Sequence, residues 1–497
     1  MQPTPLNAST LRLLPPDVRV PAYDRAALKQ GIIHIGVGGF HRAHQAVYLD
    51  DLLHRPGSEV FGICGIGLLP QDARMGDVLR EQNYLYTLLV RGADGDQARV
   101  IGSIINFLHA PQNPRAVVER MASADTRIVS LTVTEAGYCE SKATGQLDAS
   151  HPAVAHDVQN PSHPTGTYGF IAEALRRRRE RGLPAFTVMS CDNLLNNGAV
   201  CRRMMLAFLR LQDPELAEWV GHHVAFPNSM VDRITPATTD AHRELLRDNF
   251  GILDGWPVTT EPFTQWVVED HFTHGRPAWE TVGAQLVEDV EPYERMKIRL
   301  LNGSHQVMCY IGMILGLRYA PQAMTDEQVG TLLRRFMDDE AGPLVPAVPG
   351  IDLNDYKQTL LDRFANPAIN DQLGRIGTDG SARIAEFVLP TVREQLQRNG
   401  PIEIGAFTVA AWIRHLGGKD DLGVDLPFAD ALGESLRRQA RDSGANAAAF
   451  LSMRGMFGDL ADEPTFIQAV SDTLTAFYEL GGRETLARCL TGKVPAA

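Results

Sequence analysis

The sequence has no apolar run long enough to cross a bilayer. Its longest, Val307–Leu317, is about half of the roughly 20 residues that a membrane span needs. It has only six cysteines, Cys64, Cys139, Cys191, Cys201, Cys309 and Cys489, and no pair at C-x-x-C spacing. That argues against a disulfide scaffold and a cysteine-rich zinc site, and fits a reducing cytoplasm. Positive charge is in deficit: 47 Lys and Arg against 60 Asp and Glu leave a net charge of −13, which argues against nucleic acid as a partner. No H-E-x-x-H helix occurs. The pairs His41 and His44, His222 and His223, and His271 and His274 have no carboxylate at that spacing, so no metal is expected. Residues Met1–Asp24 are polar and dotted with proline, without the basic-then-apolar order of a secretory signal.

What remains is ordinary globular composition, with 44% hydrophobic and 22% charged residues. A chain of 497 residues has room for two to four domains at roughly 100–200 residues each. Up to about residue 235, short apolar runs alternate with helical patterns. Gly31–Val37, Phe61–Leu68, Arg127–Thr134 and Pro184–Cys191 read as buried strands, and Gly39–His54 as one helix. This predicts an α/β fold with a parallel sheet covered on both faces. From about Tyr293 onward the pattern is helical, so the expected division is a Rossmann-type domain over 1–290 and a mostly helical domain over 291–497. The basic run Arg176–Arg181 reads as a solvated helix C-terminus, where cations suit the dipole.

The first strand runs into Gly36-Val37-Gly38-Gly39-Phe40-His41-Arg42. Strand, glycine turn and helix in that order are the context of a dinucleotide fingerprint. Gly36 would permit the tight turn and Gly38 the close approach of a pyrophosphate, but His41 stands where the third glycine belongs. Asp72, after the second strand, is the expected ribose ligand in preference to Glu59. A carboxylate there would favour NAD over NADP, although Arg74 is near.

A second segment runs from Tyr293 to His305. On an α-helix at about 100° per residue, Asn302 lies about 140° and His305 about 80° from Lys297, all on one side. The pair Tyr293 and Lys297 also forms Y-x-x-x-K, the motif of short-chain dehydrogenases, but chance matches of this length are frequent. Asn193 follows the strand Pro184–Cys191, where residues face the ligand crevice. Asp232 is a polar group among apolar neighbours, with a buried pair to Arg233 as the plain alternative.

These residues carry a resemblance. The segments GVGGFHRAHQAVYLDDLL (36–53), SLTVTEAGYC (130–139), FTVMSCDNLLNNG (186–198), FPNSMVDRITPAT (226–238) and KIRLLNGSHQ (297–306) resemble the polyol-specific long-chain dehydrogenases. The segment PGIDLNDYKQTLLDRFANPAI (349–369) is most similar to the mannitol 2-dehydrogenases within that family. His41 in place of glycine is the family's own pattern. The resemblance implies a Rossmann-type domain, a helical domain, an active site in the cleft between them and a metal-independent, NAD-dependent reaction. It implies Lys297 as general base, Asn193 and Asn302 as the oxyanion-stabilising pair, and His305, Asp232 and Arg375 at the substrate. Arg383 stands where a lysine is expected, which leaves the sugar open. D-mannitol with D-fructose is the expected pair. Arabinitol oxidation and fructuronate or tagaturonate reduction are alternatives, and a non-catalytic NAD-binding protein is the reading from another class. The resemblance leans towards a monomer.

Overall fold

The computed structural model describes residues 3–141 and 144–492. The chain forms two compact units, Met1–Glu291 and Pro292–Ala497. The first is built on a five-stranded sheet of β1 (Ile32–Ile35), β2 (Ile63–Gly67), β3 (Ile104–His109), β4 (Ile128–Leu131) and β5 (Thr187–Ser190). The spatial order is β3-β2-β1-β4-β5 and every pairing is parallel. This is the Rossmann order for five strands, with the direction of winding reversing between β1 and β4. Alternate residues of each strand enter different cores. Ile33, Ile35, Val129 and Leu131 join one cluster, and Ile32, Ile63 and Ile128 the other. Both faces are buried, which is why the strands read as apolar runs.

Four features of this unit differ from the sequence reading, the first being the edge strand β3, which that reading did not include. The helix over Gly39–His54 is two helices, α1 (Gly39–Ala43) and α2 (Gln45–Leu53), broken at His44 with φ −124° and ψ −91°. The unit also holds two small mixed sheets outside the main one. One contains a hairpin of Tyr86–Gly92 with Gly95–Ile101, whose signal, Asp94-Gly95 between apolar stretches, is present in the sequence. The basic run is not simply solvated. It ends the helix Thr167–Glu180, but Arg178 is buried, bonds the carbonyls of Pro184 and Ser123, and stacks on Phe186.

The second unit is helical. Its helix Gly303–Ile314 is buried along almost all its length, as is Glu403–Leu416. The last helix, Pro464–Thr491, is interrupted at Gly481, where φ is +79°. Among the described residues, three stretches are π-helical rather than α-helical: Lys297–Asn302, Phe336–Ala341 and Ile384–Val388. Such stretches are rare and frequently mark functional sites. No helix among the described residues is long and apolar enough to cross a membrane.

His415, buried on Glu403–Leu416 with its ring 5.4 Å from that of Tyr310, has its pKa lowered to about 4 by burial. Its folded value lies below the unfolded one, so its contribution to stability is complete above about pH 6.5 and is lost as pH falls towards 4. The loss should approach about 1.4 kcal/mol per pH unit. Thermal melting at pH 7, 6 and 5 should show a shallower pH slope for His415→Phe than for the wild type.

Candidate active site

The turn after β1 is fixed by sterics. Gly36 has φ +93°, and a Cβ added to it would lie 2.1 Å from the carbonyl oxygen of Thr132. Only glycine fits there. Its N–H donates to the Ile66 carbonyl, and its own carbonyl accepts from the Gly38 N–H at 2.7 Å. Gly38 is exposed, and the nearest atom to a Cβ built on it is the Gly36 oxygen at 3.9 Å. The space above the turn is open, and the first N–H groups of α1 follow it. Backbone N–H groups in open space at a strand-to-helix turn form an anion cradle, placed here beside the winding reversal.

Asp72 opens the helix Asp72–Glu81 and lies against the end of β2. A Cβ on Gly67 would come 2.6 Å from the Asp72 Cβ, and the Asp72 carboxylate accepts the Leu69 N–H at 2.9 Å. Arg74 points elsewhere, its guanidinium 5.5 Å from the Trp256 ring centre.

His41 and Arg42, which follow the glycines of the fingerprint, have their side chains buried. The His41 ring is buried and stacks on that of His34, centroids 3.3 Å apart and planes 10° apart. Arg42 is buried, donates to the Trp256 carbonyl at 2.6 Å and lies over Tyr86. Both turn inward because α1 packs this face on the sheet. Only their backbone remains at the turn. Phe40 is half-buried and stacks on His44.

The ends of β4 and β5 carry the next polar groups. Asn193 is exposed three residues past Ser190. Asp192 before it is buried and accepts from the Val133 N–H, the Thr134 N–H and the Tyr138 hydroxyl, while burial pushes its carboxyl up. These bonds hold Thr134 at φ +62°, a strained value for a β-branched residue. Sequence reasoning passed over both residues, and also His34, whose signal was a histidine inside an apolar strand. Asp232 ends the strand Ser229–Asp232 and is buried opposite Gln265, while Arg233 donates to the carbonyls of Ala43 and Glu261.

In the second unit, Lys297 and Asn302 are 7% exposed. They are the first and last residues of a π-helical stretch, which corrects the geometry assumed from α-helical spacing. With i→i+5 bonding, residues five apart stand nearly above one another rather than about 140° apart. His305 follows in the first turn of Gly303–Ile314, partly exposed, its ring 4.8 Å from that of Phe364. Tyr293 is buried and donates its hydroxyl to the Pro349 carbonyl at 2.8 Å. Arg375 makes two bonds to the Asp371 carboxylate, one of 2.7 Å. Arg383 donates to the Ile376 carbonyl at 2.7 Å. No group of three His, Cys, Asp or Glu among the described residues is placed to hold a metal ion.

A Rossmann-ordered sheet with a glycine cradle at its winding reversal, followed by a helical unit with a buried lysine, defines a two-domain protein of the dinucleotide-binding class. The family model for the mannitol dehydrogenase Rossmann domain matches residues 30–281, and that for the mannitol dehydrogenase C-terminal domain matches residues 289–478. The chain belongs to the mannitol dehydrogenase family. It is similar to a mannitol 2-dehydrogenase of Aspergillus terreus, 45% identical over 478 residues that cover 95% of each chain. Among solved structures, it is similar to Pseudomonas fluorescens mannitol 2-dehydrogenase in a ternary complex with NAD and D-mannitol. The identity is 45%, the TM-score 0.90, and the match covers 98% of this chain and 100% of that one. A D-sorbitol dehydrogenase in substrate-free form also matches at TM-score 0.90 and 34% identity, over 97% of this chain and 100% of that one.

Gly36→Ala should abolish nucleotide binding, because the new Cβ collides with the Thr132 carbonyl and φ becomes strained. Titration of the purified variant with NADH should give no saturable fluorescence change, alongside a lowered melting temperature.

Proposed function

We propose that the chain is an NAD-dependent polyol dehydrogenase that interconverts D-mannitol and D-fructose, with Lys297 as general base. The observation that carries this reading is the burial of Lys297 and Asn302 at the two ends of one π-helical turn. The likeness to a mannitol 2-dehydrogenase crystallised with NAD and D-mannitol supports it.

The cradle fits a dinucleotide: Gly36 and Gly38 leave the phosphates room, and the turn and the start of α1 offer N–H groups to them. Asp72 would bond the ribose hydroxyls and repel a 2′-phosphate. NAD⁺, when bound, supplies the hydride acceptor. The rest falls to side chains. A lysine amine accepts a proton only when neutral, and free lysine has a pKa of about 10.4. For Lys297 to serve as base, its ammonium form must be disfavoured when NAD⁺ is bound. Lys297 would take the proton of the substrate hydroxyl. Asn302 and Asn193 would donate hydrogen bonds to the oxygen as negative charge develops on it, adding no charge of their own. His305 and Asp232 would hold further substrate hydroxyls.

Arg375 and Arg383 would meet the far end of the substrate. The Arg375 charge is already paired with Asp371, which lessens what it would offer a uronate carboxylate. This favours a neutral polyol over fructuronate or tagaturonate. Arabinitol shares that neutrality, and only rates separate it from mannitol.

Initial rates with NAD⁺ should be fastest on D-mannitol, slower on D-arabinitol, and negligible in reverse with fructuronate. Turnover on fructuronate alone would overturn the substrate, and NADH binding without turnover on any of them would favour a non-catalytic protein. Lys297→Ala should lower kcat by about 100-fold or more, in the range of general-base loss, while NADH affinity is kept. Asp72→Asn should raise the NADP⁺ to NAD⁺ ratio of kcat/KM by about an order of magnitude, since one repelling charge is removed.

A further inference from the structure

His34 is fully buried in the middle strand of the sheet, on the face that packs against α1, where an apolar residue would suffice for folding. Its ring joins a continuous chain of hydrogen bonds. Nδ1 is 2.8 Å from the Ser130 hydroxyl, and Nε2 is 2.9 Å from the Thr132 hydroxyl and 3.2 Å from the Gly36 carbonyl. The Thr132 hydroxyl lies 2.6 Å from the same carbonyl. Burial keeps the His34 ring neutral, and for a neutral ring one arrangement of protons satisfies every contact. A carbonyl can only accept, so the single Thr132 hydroxyl proton goes to Gly36. Thr132 then accepts from His34, which places the ring proton on Nε2. Nδ1 in turn accepts from the Ser130 hydroxyl. The chain therefore runs one way, from Ser130 through His34 and Thr132 to the Gly36 oxygen.

That oxygen belongs to the Gly36–Val37 peptide of the cradle. In a planar trans peptide the carbonyl and the following N–H point to opposite sides. A carbonyl held inward keeps the Val37 N–H turned the other way. Glycine at φ +93° offers little resistance to a peptide flip, and a flipped carbonyl would face the phosphates with its negative end. The His41 ring, flat on His34, closes the chain off from the helix side.

We propose that His34 is a positioning residue for the coenzyme: with Ser130 and Thr132 it holds the Gly36 carbonyl in the sheet, so that the turn presents N–H groups and not a carbonyl to the pyrophosphate. The inference rests on the reading of the glycine turn as the NAD site. His34 touches neither substrate nor coenzyme.

The test compares wild type with His34→Phe, which keeps a flat ring for His41 but removes both nitrogens, and with Thr132→Val, which removes only the last donor. Each folded protein is titrated with NADH, ADP-ribose and adenosine by calorimetry. Affinity for NADH and for ADP-ribose, which carry the pyrophosphate, should fall about tenfold in both variants, the scale of one hydrogen bond. Affinity for adenosine should stay within about twofold of wild type, and KM should rise for NAD⁺ and not for mannitol. A purely structural role would lower the melting temperature without separating the three ligands. NADH and ADP-ribose affinities within about twofold of wild type in Thr132→Val would overturn the proposal, whether or not His34→Phe folds. A wild-type chain that binds no NADH would overturn the coenzyme reading and this inference with it.

Discussion

The backbone of Gly36 has room for no side chain, and the sheet is arranged around that fact. The would-be Cβ meets a carbonyl of the strand segment that follows β4, the parallel neighbour of β1, so the close approach of the two there requires glycine. The chain leaves β1 towards one face and β4 towards the other, and the crevice opens between them. The N–H groups of the turn, the exposed Asn193 past β5 and the Asp72 carboxylate past β2 all lie at strand C-termini because every pairing in the sheet is parallel. A residue with a Cβ at position 36 would break the turn and separate the groups that depend on it.

Burial of polar groups sets the second condition. An unsatisfied buried donor or acceptor costs about 1–3 kcal/mol, so partners matter most for groups kept in the interior. His34 is tied on both nitrogens. Asp192 accepts three bonds and spends them holding the strained Thr134 and the segment after β4. In the helical unit, Glu340 accepts the Ile404 and Gly405 N–H groups at the start of Glu403–Leu416, while burial pushes its carboxyl up to about 8. Glu340, like Lys297 and Asn302, lies in a π-helical stretch. A wider turn shifts side-chain directions relative to the flanking α-helix, and that shift is what lets a polar group point inward without unwinding its neighbours.

Four of the five strands of the main sheet, the glycine turn and the helical texture of the second half were legible in the sequence, because buried parallel strands read as apolar runs and Gly36 and Gly38 have few substitutes; the edge strand Ile104–His109, only partly buried, was not. The position of Asp72 past the second strand followed from strand order, and Lys297, Asn302 and His305 stood out as candidates in one short segment. The rest was not. The π-helical stretch is invisible to a reading at about 100° per residue, since nothing in KIRLLN breaks an α-helical pattern. The inward course of His41, Arg42 and Arg178 was equally hidden. Whether a long cationic side chain snorkels to solvent or turns in depends on which carbonyls lie within reach, and those of Trp256, Pro184 and Ser123 come from distant parts of the chain.

His41 shows how one departure from a fingerprint is accommodated by others. The third glycine of G-x-G-x-x-G lets the helix approach the strand closely. A side chain at that position would push the helix away unless it could lie flat. The imidazole of His41 does so against the imidazole of His34, with 3.3 Å between centroids, about the thickness of a single ring. The flat stack needs an aromatic ring at position 34, inside a strand where aliphatic residues otherwise fill the face. It also fixes the direction of α1, which then stops after five residues at His44. There the backbone leaves helical geometry and the His44 ring is free to reach the Gln265 carbonyl at 2.8 Å. A histidine at 41, a histidine at 34 and the break at 44 are thus parts of one packing solution, in which a stacked ring pair takes the place of a missing glycine.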